Sequence, residues 1–400
     1  MWIDRDIAGL IEDASGEYIQ ILTGPRQCGK SSLLWHLGGK KYNEVTFDDL
    51  QMRTLAETDP SFFLARQKLP LIIDEVQYAP NIFPELKKTV DSLKRNKITK
   101  KNSRTEVLFR LTGSNQILMD KNVKETLVGR AGYYYLNTLS VSEILKKLPK
   151  TSIDEILFKG GWPELYTNSE INPVRYINDY IRNFIEKDIV LSSGISKQKE
   201  FNTVLGMLAA RTGEFINYST IAGESGVKSV TVKEWVSILE RTSLIYLLQP
   251  AEKNLNKRLI RSPKIYFLDT GLATRLQGWS ELEPLLRSSQ AGHLFETLVL
   301  GEIIKFNNNF GKNFKISAWR TKDGEEIDFV IDNGKGAVTA IDSKLGIHSV
   351  HPIEIPVSFQ KAYPQIKKIA VVSFGGDMKE LSPRCIQVPI SRLKDFLMNI

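Results

Sequence analysis

Gly24-Pro25-Arg26-Gln27-Cys28-Gly29-Lys30-Ser31 is the stretch that decides how this chain reads. It follows an apolar run, residues 19–22, and leads into Ser32-Leu33-Leu34, where a helical pattern begins. Strand, glycine loop and helix, with the spacing G-x-x-x-x-G-K-S, make a phosphate-binding loop. The glycines let backbone N–H groups close around phosphate oxygens, and the helix N-terminus adds positive dipole. Lys30 would reach the β- and γ-phosphates and Ser31 would hold Mg²⁺. Gly24, Pro25, Arg26, Gln27, Cys28, Gly29, Lys30, Ser31 and Ser32 are therefore the expected nucleotide-binding set.

Downstream, Pro70-Leu71-Ile72-Ile73-Asp74-Glu75 reads as a buried parallel strand ending in two carboxylates. Asp74 would hold Mg²⁺ through water, and Glu75 would polarise the attacking water. A further strand over residues 106–115 ends in Ser114 and Asn115, at the sheet edge where ligands bind in such folds. One of the two would touch the γ-phosphate or the water; the sequence does not separate them. Leu127-Val128-Gly129-Arg130 precedes Tyr133-Tyr134-Tyr135-Leu136, another strand. Arg130 reads either as an arginine finger serving a neighbouring subunit or as a surface arginine at a helix end. The first reading requires at least a dimer.

Taken in order, this loop, Leu71-Ile72-Ile73-Asp74-Glu75, Leu111-Thr112-Gly113-Ser114, Leu127-Val128-Gly129-Arg130 and Leu139-Ser140-Val141-Ser142-Glu143 resemble the AAA+ ATPases. The chain is most similar to the bacterial and archaeal group in which an AAA+ domain precedes a C-terminal domain of unknown function. The resemblance continues through Gly160-Gly161-Trp162-Pro163-Glu164 and Tyr180 to Asp188 and Ile189, and covers nearly the whole chain. It implies ATP with Mg²⁺, ATP hydrolysis, a homo-oligomer, and an arginine finger at Arg130. It implies no substrate. No convincing N-K-x-D motif for guanine follows the first domain, which favours ATP over GTP.

With 400 residues the chain exceeds what one core usually serves, so two or three domains are expected. Its 42% hydrophobic and 25% charged residues fit a globular protein rather than a disordered one. No apolar stretch reaches bilayer-spanning length, so no membrane partner is expected. The start, Met1-Trp2-Ile3-Asp4-Arg5-Asp6, reads as lacking a secretory leader. Cys28 and Cys385 stand far apart, which fits a reducing cytoplasm. A net charge of +8 permits a polyanionic partner such as DNA without requiring one. Lys87, Lys88, Lys94, Arg95, Lys97, Lys100, Lys101 and Arg104, with Asp91 the only acid among them, could track phosphates or form a solvated helix and loop.

Ser140 with Glu143, and Ser152 with Glu155, have the spacing of capping boxes and predict helix starts. Residues 153–215 are helical in pattern, with Ile177, Tyr180, Ile181 and Phe184 on one packed face. Residues 216–268 outline a winged helix-turn-helix: a short helix, a turn at Gly226, a helix from Ser229, then a strand pair. Its second helix carries Glu234 and Glu240 beside Lys233 and Arg241, while the wing holds Lys253, Lys257, Arg258, Arg261 and Lys264. DNA contact and a protein-contact or spacer role both stay open.

Toward the C-terminus, Glu296 lies on an apolar-faced helix, Asp328 on a strand, and Asp342-Ser343-Lys344 on the next strand of a hairpin. Asp328, thirteen intervening residues and then Asp-x-Lys resemble the PD-(D/E)xK nuclease core, without the proline that often precedes the first aspartate. That resemblance implies Mg²⁺ or Mn²⁺ on Glu296, Asp328 and Asp342, with Lys344 orienting water or stabilising transition-state charge. Otherwise the hairpin would simply carry solvated carboxylates and a salt-bridged lysine.

The expected architecture is α/β. Residues 1–150 would form an AAA+ P-loop domain with a parallel sheet, 151–285 a helical region with a winged helix, and 286–400 a restriction-endonuclease-like α/β domain. The expected function is ATP hydrolysis coupled to a nuclease-like, DNA-acting domain. The alternative is a non-cleaving, nucleotide-gated switch that binds nucleic acid or a protein.

Overall fold

The computed structural model describes residues 1–13, 16–99, 106–113, 126–190, 193–251, 262–334, 338–346, 351–366 and 368–400. The chain gathers into two compact units, one of residues 4–137 with 308–310, the other of 1–3, 138–307 and 311–400.

Five short strands build the sheet of the first unit: β1 (Ile19–Thr23), β2 (Asn43–Thr46), β3 (Leu71–Asp74), β4 (Phe109–Gly113) and β5 (Ala131–Tyr135). They run parallel in the order β2-β3-β4-β1-β5. One face of the central strands is apolar, while the other buries Gln20 of β1 and Arg110 of β4, which are hydrogen-bonded to each other. Leu71, Ile73, Phe109 and Leu111 are fully buried with Phe47, Phe63 and Phe83. The basic run begins on the helix Ile82–Thr99, while Lys100, Lys101 and Arg104 lie outside the described residues.

Two helices near the start of the second unit show how far a capping motif carries. Ser140 and Glu143 cap the helix Val141–Lys147 reciprocally, as the spacing predicts. Ser152 accepts from Glu155 N on the helix Ile153–Lys159, but the Glu155 carboxylate turns to Lys159 instead of reaching back. A cation four residues on competes with the return bond of the box. Ile177, Tyr180 and Phe184 are buried, with the Tyr180 ring 4.5 Å from Trp162 and 5.2 Å from Phe184. Ile181 is only half-buried, at the point where the helix Pro173–Tyr180 gives way to a π-helix over Ile181–Ile189.

The helices Gln198–Ala210, Tyr218–Ser225 and Ser229–Arg241 pack with a three-stranded sheet ordered β6-β8-β7. Its strands are β6 (Glu214–Phe215), β7 (Ile245–Leu248) and β8 (Lys264–Phe267), all antiparallel. Lys253, Lys257, Arg258 and Arg261 lie outside the described residues.

Six strands form the last sheet: β9 (Lys315–Arg320), β10 (Glu326–Asp332), β11 (Val338–Lys344), β12 (Ile369–Ser373), β13 (Lys379–Ser382) and β14 (Cys385–Pro389). Their order is β13-β14-β12-β11-β10-β9, and the sheet is mixed. β9, β10 and β11 pair antiparallel, β11, β12 and β14 pair parallel, and β13 closes the edge antiparallel. Just past β7, Pro250 bridges Ala318 of β9, with Ala251 N donating to Ala318 O at 2.8 Å.

Candidate functional site: a phosphate-loop centre and a second carboxylate cluster

The loop between β1 and the helix Lys30–Gly38 is held tightly. Gly24 (φ +151°) leaves no room for a side chain: a Cβ there would lie 2.1 Å from Leu136 O. Lys30 is buried, and its ammonium donates to Gly24 O (3.1 Å) and Pro25 O (2.7 Å), so the loop closes on its own lysine. Gln27 and Ser32 are exposed at the rim.

Because the strands are parallel, everything at their carboxyl ends converges. Ser31 Oγ donates to Asp74 Oδ1 at 2.8 Å. Thr112 Oγ1 donates to the same oxygen and accepts from Glu75 N at 3.2 Å. Glu75 leaves β3 in the left-handed region (φ +53°), and Gln77 Nε2 donates to its carboxylate. The hydroxyl of Ser31 and the carboxylate of Asp74 are hard oxygen donors of the kind Mg²⁺ prefers, so this pair fits the metal of a nucleotide site. Ser114 and Asn115 lie outside the described residues.

Two participants escaped the sequence. Thr112 is fully buried beside Asp74; its signal was a hydroxyl at the end of a buried strand that also carries Arg110. Asp48, just past β2, has its carboxyl pushed up by burial and then by Glu75 and Asp74, while Arg26 opposes the shift. Asp48 thus feels the charge of the same centre, whereas Asp49 beside it caps the helix Leu50–Thr58. Arg26 also reaches the Tyr78 hydroxyl at 3.4 Å.

Arg130 stands elsewhere. Ala131 pairs with Ile19 at the start of β1, whereas the phosphate loop follows its end. Four residue steps at ~3.3 Å each separate these sheet edges. Arg130 makes a two-pronged ion pair with Asp91, Nε to Oδ1 at 2.7 Å and Nη2 to Oδ2 at 2.9 Å. Hydrogen bonding to Arg130 holds the Asp91 carboxyl below the usual carboxylate range.

The second cluster lies in the other unit. One step beyond the pair Phe329↔Ile341, the register sets Asp328 opposite Asp342. Asp328 Oδ2 accepts from both Ser343 N and Ser343 Oγ at 2.8 Å, and Lys344 Nζ lies 2.9 Å from Asp342 Oδ2. Burial, then the facing Asp328, push the Asp342 carboxyl well up, against the pull of Lys344. Glu296, on the helix Gln290–Asn309, accepts from Tyr266 OH at 2.5 Å and pairs with Lys264 Nζ at 3.0 Å. Lys264 is only 3% exposed and also meets Glu326 at 2.5 Å. Burial acts to lower the Lys264 pKa, but Glu296, Asp328 and Glu326 outweigh it and raise it. Burial and Asp328 push Glu296 up to about 7, against Lys264 and Tyr266.

Glu296, Asp328, Asp342 and Lys344, which the sequence groups as one candidate set, act on one another's charge here. It counted Lys264 with a basic wing, yet here Lys264 is a buried partner of the acids. Among the described residues, no group of three or more His, Cys, Asp or Glu is arranged to hold a metal ion. One Glu296 oxygen, Oε1, accepts from both Lys264 and Tyr266.

Residues 16–145 match the family described as an AAA domain. Residues 150–283 and 291–393 match two families described as domains of unknown function. The parallel sheet and the loop geometry agree with the first match, that of an AAA-type P-loop domain. An uncharacterized protein of Mycobacterium tuberculosis is 28% identical over 316 residues, 78% of this chain and 67% of its own length. Another, of Methanocaldococcus jannaschii, is 22% identical over 363 residues, 80% of this chain and 74% of its own. Among solved structures, a Walker-type ATPase of Pyrococcus abyssi aligns with TM-score 0.39 and 14% identity, over 69% of this chain and 96% of that one. The ORC2 protein of Aeropyrum pernix, in ADPNP and ADP complexes, aligns with TM-score 0.33 and 12% identity, over 67% and 88%. No helix among the described residues is long and apolar enough to cross a membrane.

Proposed function

We propose that this protein is an ATP-hydrolysing AAA+ protein whose nucleotide state governs the domains that follow its P-loop domain. One observation carries the reading: Ser31, Asp74 and Thr112 share a hydrogen-bonded centre at the mouth of the Lys30 loop. Lys30 and the loop amides would bind the phosphates, while Ser31 and Asp74 would hold Mg²⁺, which screens phosphate charge. Glu75 would orient the attacking water, and the polar sensor would be Ser114 or Asn115. Arg130, at the far sheet edge, would serve a neighbouring copy. The test is ATP hydrolysis by purified protein: Lys30→Ala should abolish binding, and Glu75→Gln should retain binding while losing turnover. Binding by Lys30→Ala as tight as wild type would sink the reading.

The three matched segments support three working domains, 1–150, 151–285 and 286–400. The helix and strand order from Gln198 to Phe267 supports a winged helix, and the Asp328–Asp342 hairpin supports a nuclease-like fold. The free, buried Cys28 and Cys385 fit a cytoplasmic protein. Whether the last domain cuts DNA is tested with single- and double-stranded substrates in Mg²⁺ and Mn²⁺, with and without ATP, beside Asp342→Ala.

A second reading, a non-cleaving switch that binds nucleic acid or a protein, is favoured by the engagement of Glu296 with Lys264 and Tyr266. Cleavage lost in Asp342→Ala overturns it; intact ATP hydrolysis without cleavage under any condition supports it.

A further inference from the structure

Arg5 belongs to no motif, yet it is 6% exposed. Its Nη1 donates to Cys28 O at 2.9 Å and its Nη2 to Asn137 O at 2.6 Å. One guanidinium therefore joins the phosphate loop to the segment leaving β5. That segment meets the loop twice more. Cys28 Sγ donates to Leu136 O at 3.4 Å, and Leu136 O fills the space a Cβ on Gly24 would need. Asn137 is also where the chain passes out of the first unit.

The peptide group between Cys28 and Gly29 is planar and trans, so its C=O and N–H point in opposite directions. A donor that holds the Cys28 carbonyl on one side fixes the Gly29 N–H on the other. Arginine suits this task. Its guanidinium stays charged and offers several N–H groups in a rigid fork, whereas the lysine ammonium is a point charge on a flexible stem. The two Nη groups of Arg5 hold the two carbonyls from separate donors of that fork.

We propose that Arg5 is a positioning residue of the nucleotide site. It sets the Cys28–Gly29 peptide so that the loop amides meet the phosphates of a nucleoside triphosphate. This rests on the P-loop reading above. It adds an N-terminal residue to that site, acting through the backbone rather than by touching the ligand.

The experiment is a titration with a fluorescent ATP analogue and Mg²⁺ of the full chain and of Arg5→Ala, Arg5→Lys and Lys30→Ala, with thermal unfolding of each nucleotide-free protein. Arg5→Ala should bind about tenfold more weakly, the loss expected for a charge-assisted hydrogen bond. Arg5→Lys should fall between. Millimolar guanidinium chloride should restore affinity to Arg5→Ala without improving the wild type, a rescue that a general loss of stability would not show. Wild-type affinity in Arg5→Ala, with Lys30→Ala not binding, overturns the Arg5 role and leaves the P-loop reading standing. No binding by wild type, or equal binding by Lys30→Ala, overturns the P-loop reading itself. Should Arg5→Ala fail to fold, Arg5→Lys decides: weakened binding supports the role and wild-type affinity removes it.

Discussion

The Ser31 hydroxyl lies 2.8 Å from Oδ1 of Asp74, a residue forty-three positions away. A helix start and a strand end are thus brought together as paired oxygen donors, and Thr112 fixes the carboxylate from a third element. Asp74→Asn keeps the shape but removes the charge that would hold Mg²⁺ under the proposed function. ATP turnover is expected to fall on the order of 100-fold, since the metal supplies several kcal/mol of charge stabilisation. Steady-state hydrolysis against Mg²⁺ concentration checks this; unchanged turnover counts against Asp74 as the metal residue.

Gly24→Ala should harm both fold and site. The added Cβ would collide with a backbone oxygen, not a movable side chain. A cost of about 2–3 kcal/mol is expected from overpacking at a strained position. Denaturant unfolding measures it, and a midpoint equal to wild type would show that the loop has room.

Lys264 is a buried cation between two acids. Removing it strands Glu296 in the interior, and breaking a buried pair costs about 3–5 kcal/mol. Lys264→Met is expected to destabilise by that order. Lys264→Met combined with Glu296→Leu should recover much of the loss, because the unpaired charge is gone. A double variant no more stable than the single one contradicts the pairing.

The Asp91 carboxyl is predicted to titrate below its ordinary range and to return there in Arg130→Ala. A depressed folded-state pKa gives stability that is present above the unfolded pKa, near 3.9, and is lost as pH falls through the folded value. The contribution is therefore complete at neutral pH. Carbon-13 NMR of the side chain reads it directly. If Arg130 also acts in trans, specific ATPase activity should rise with protein concentration and collapse in the variant.

The nucleotide centre was legible because its residues sit at fixed spacings in one loop and at the ends of apolar strands. Lys30, Ser31, Asp74 and Glu75 all read that way. Thr112 and Asp48 did not, because their participation depends on strand order β2-β3-β4, which local pattern does not encode. The Asp328–Asp342 hairpin was legible from a short turn. Lys264 was misplaced because its burial comes from strand β8 packing beside the helix of Glu296, a contact thirty-two residues away in sequence. Arg5 gave no signal, since a lone arginine before the first helix has no pattern to belong to.

Pro250 and Ala251 lie along β9, at the outer edge of the six-stranded sheet. A fragment cut at residue 286 would lose them and leave that edge with bare N–H and C=O groups. Exposed edges of this kind recruit other chains. The same cut would strip Lys264 from Glu296. Expressed alone, the C-terminal segment is thus expected to aggregate, and fragments meant for biochemistry should begin before the helix Gln198–Ala210 rather than at residue 286.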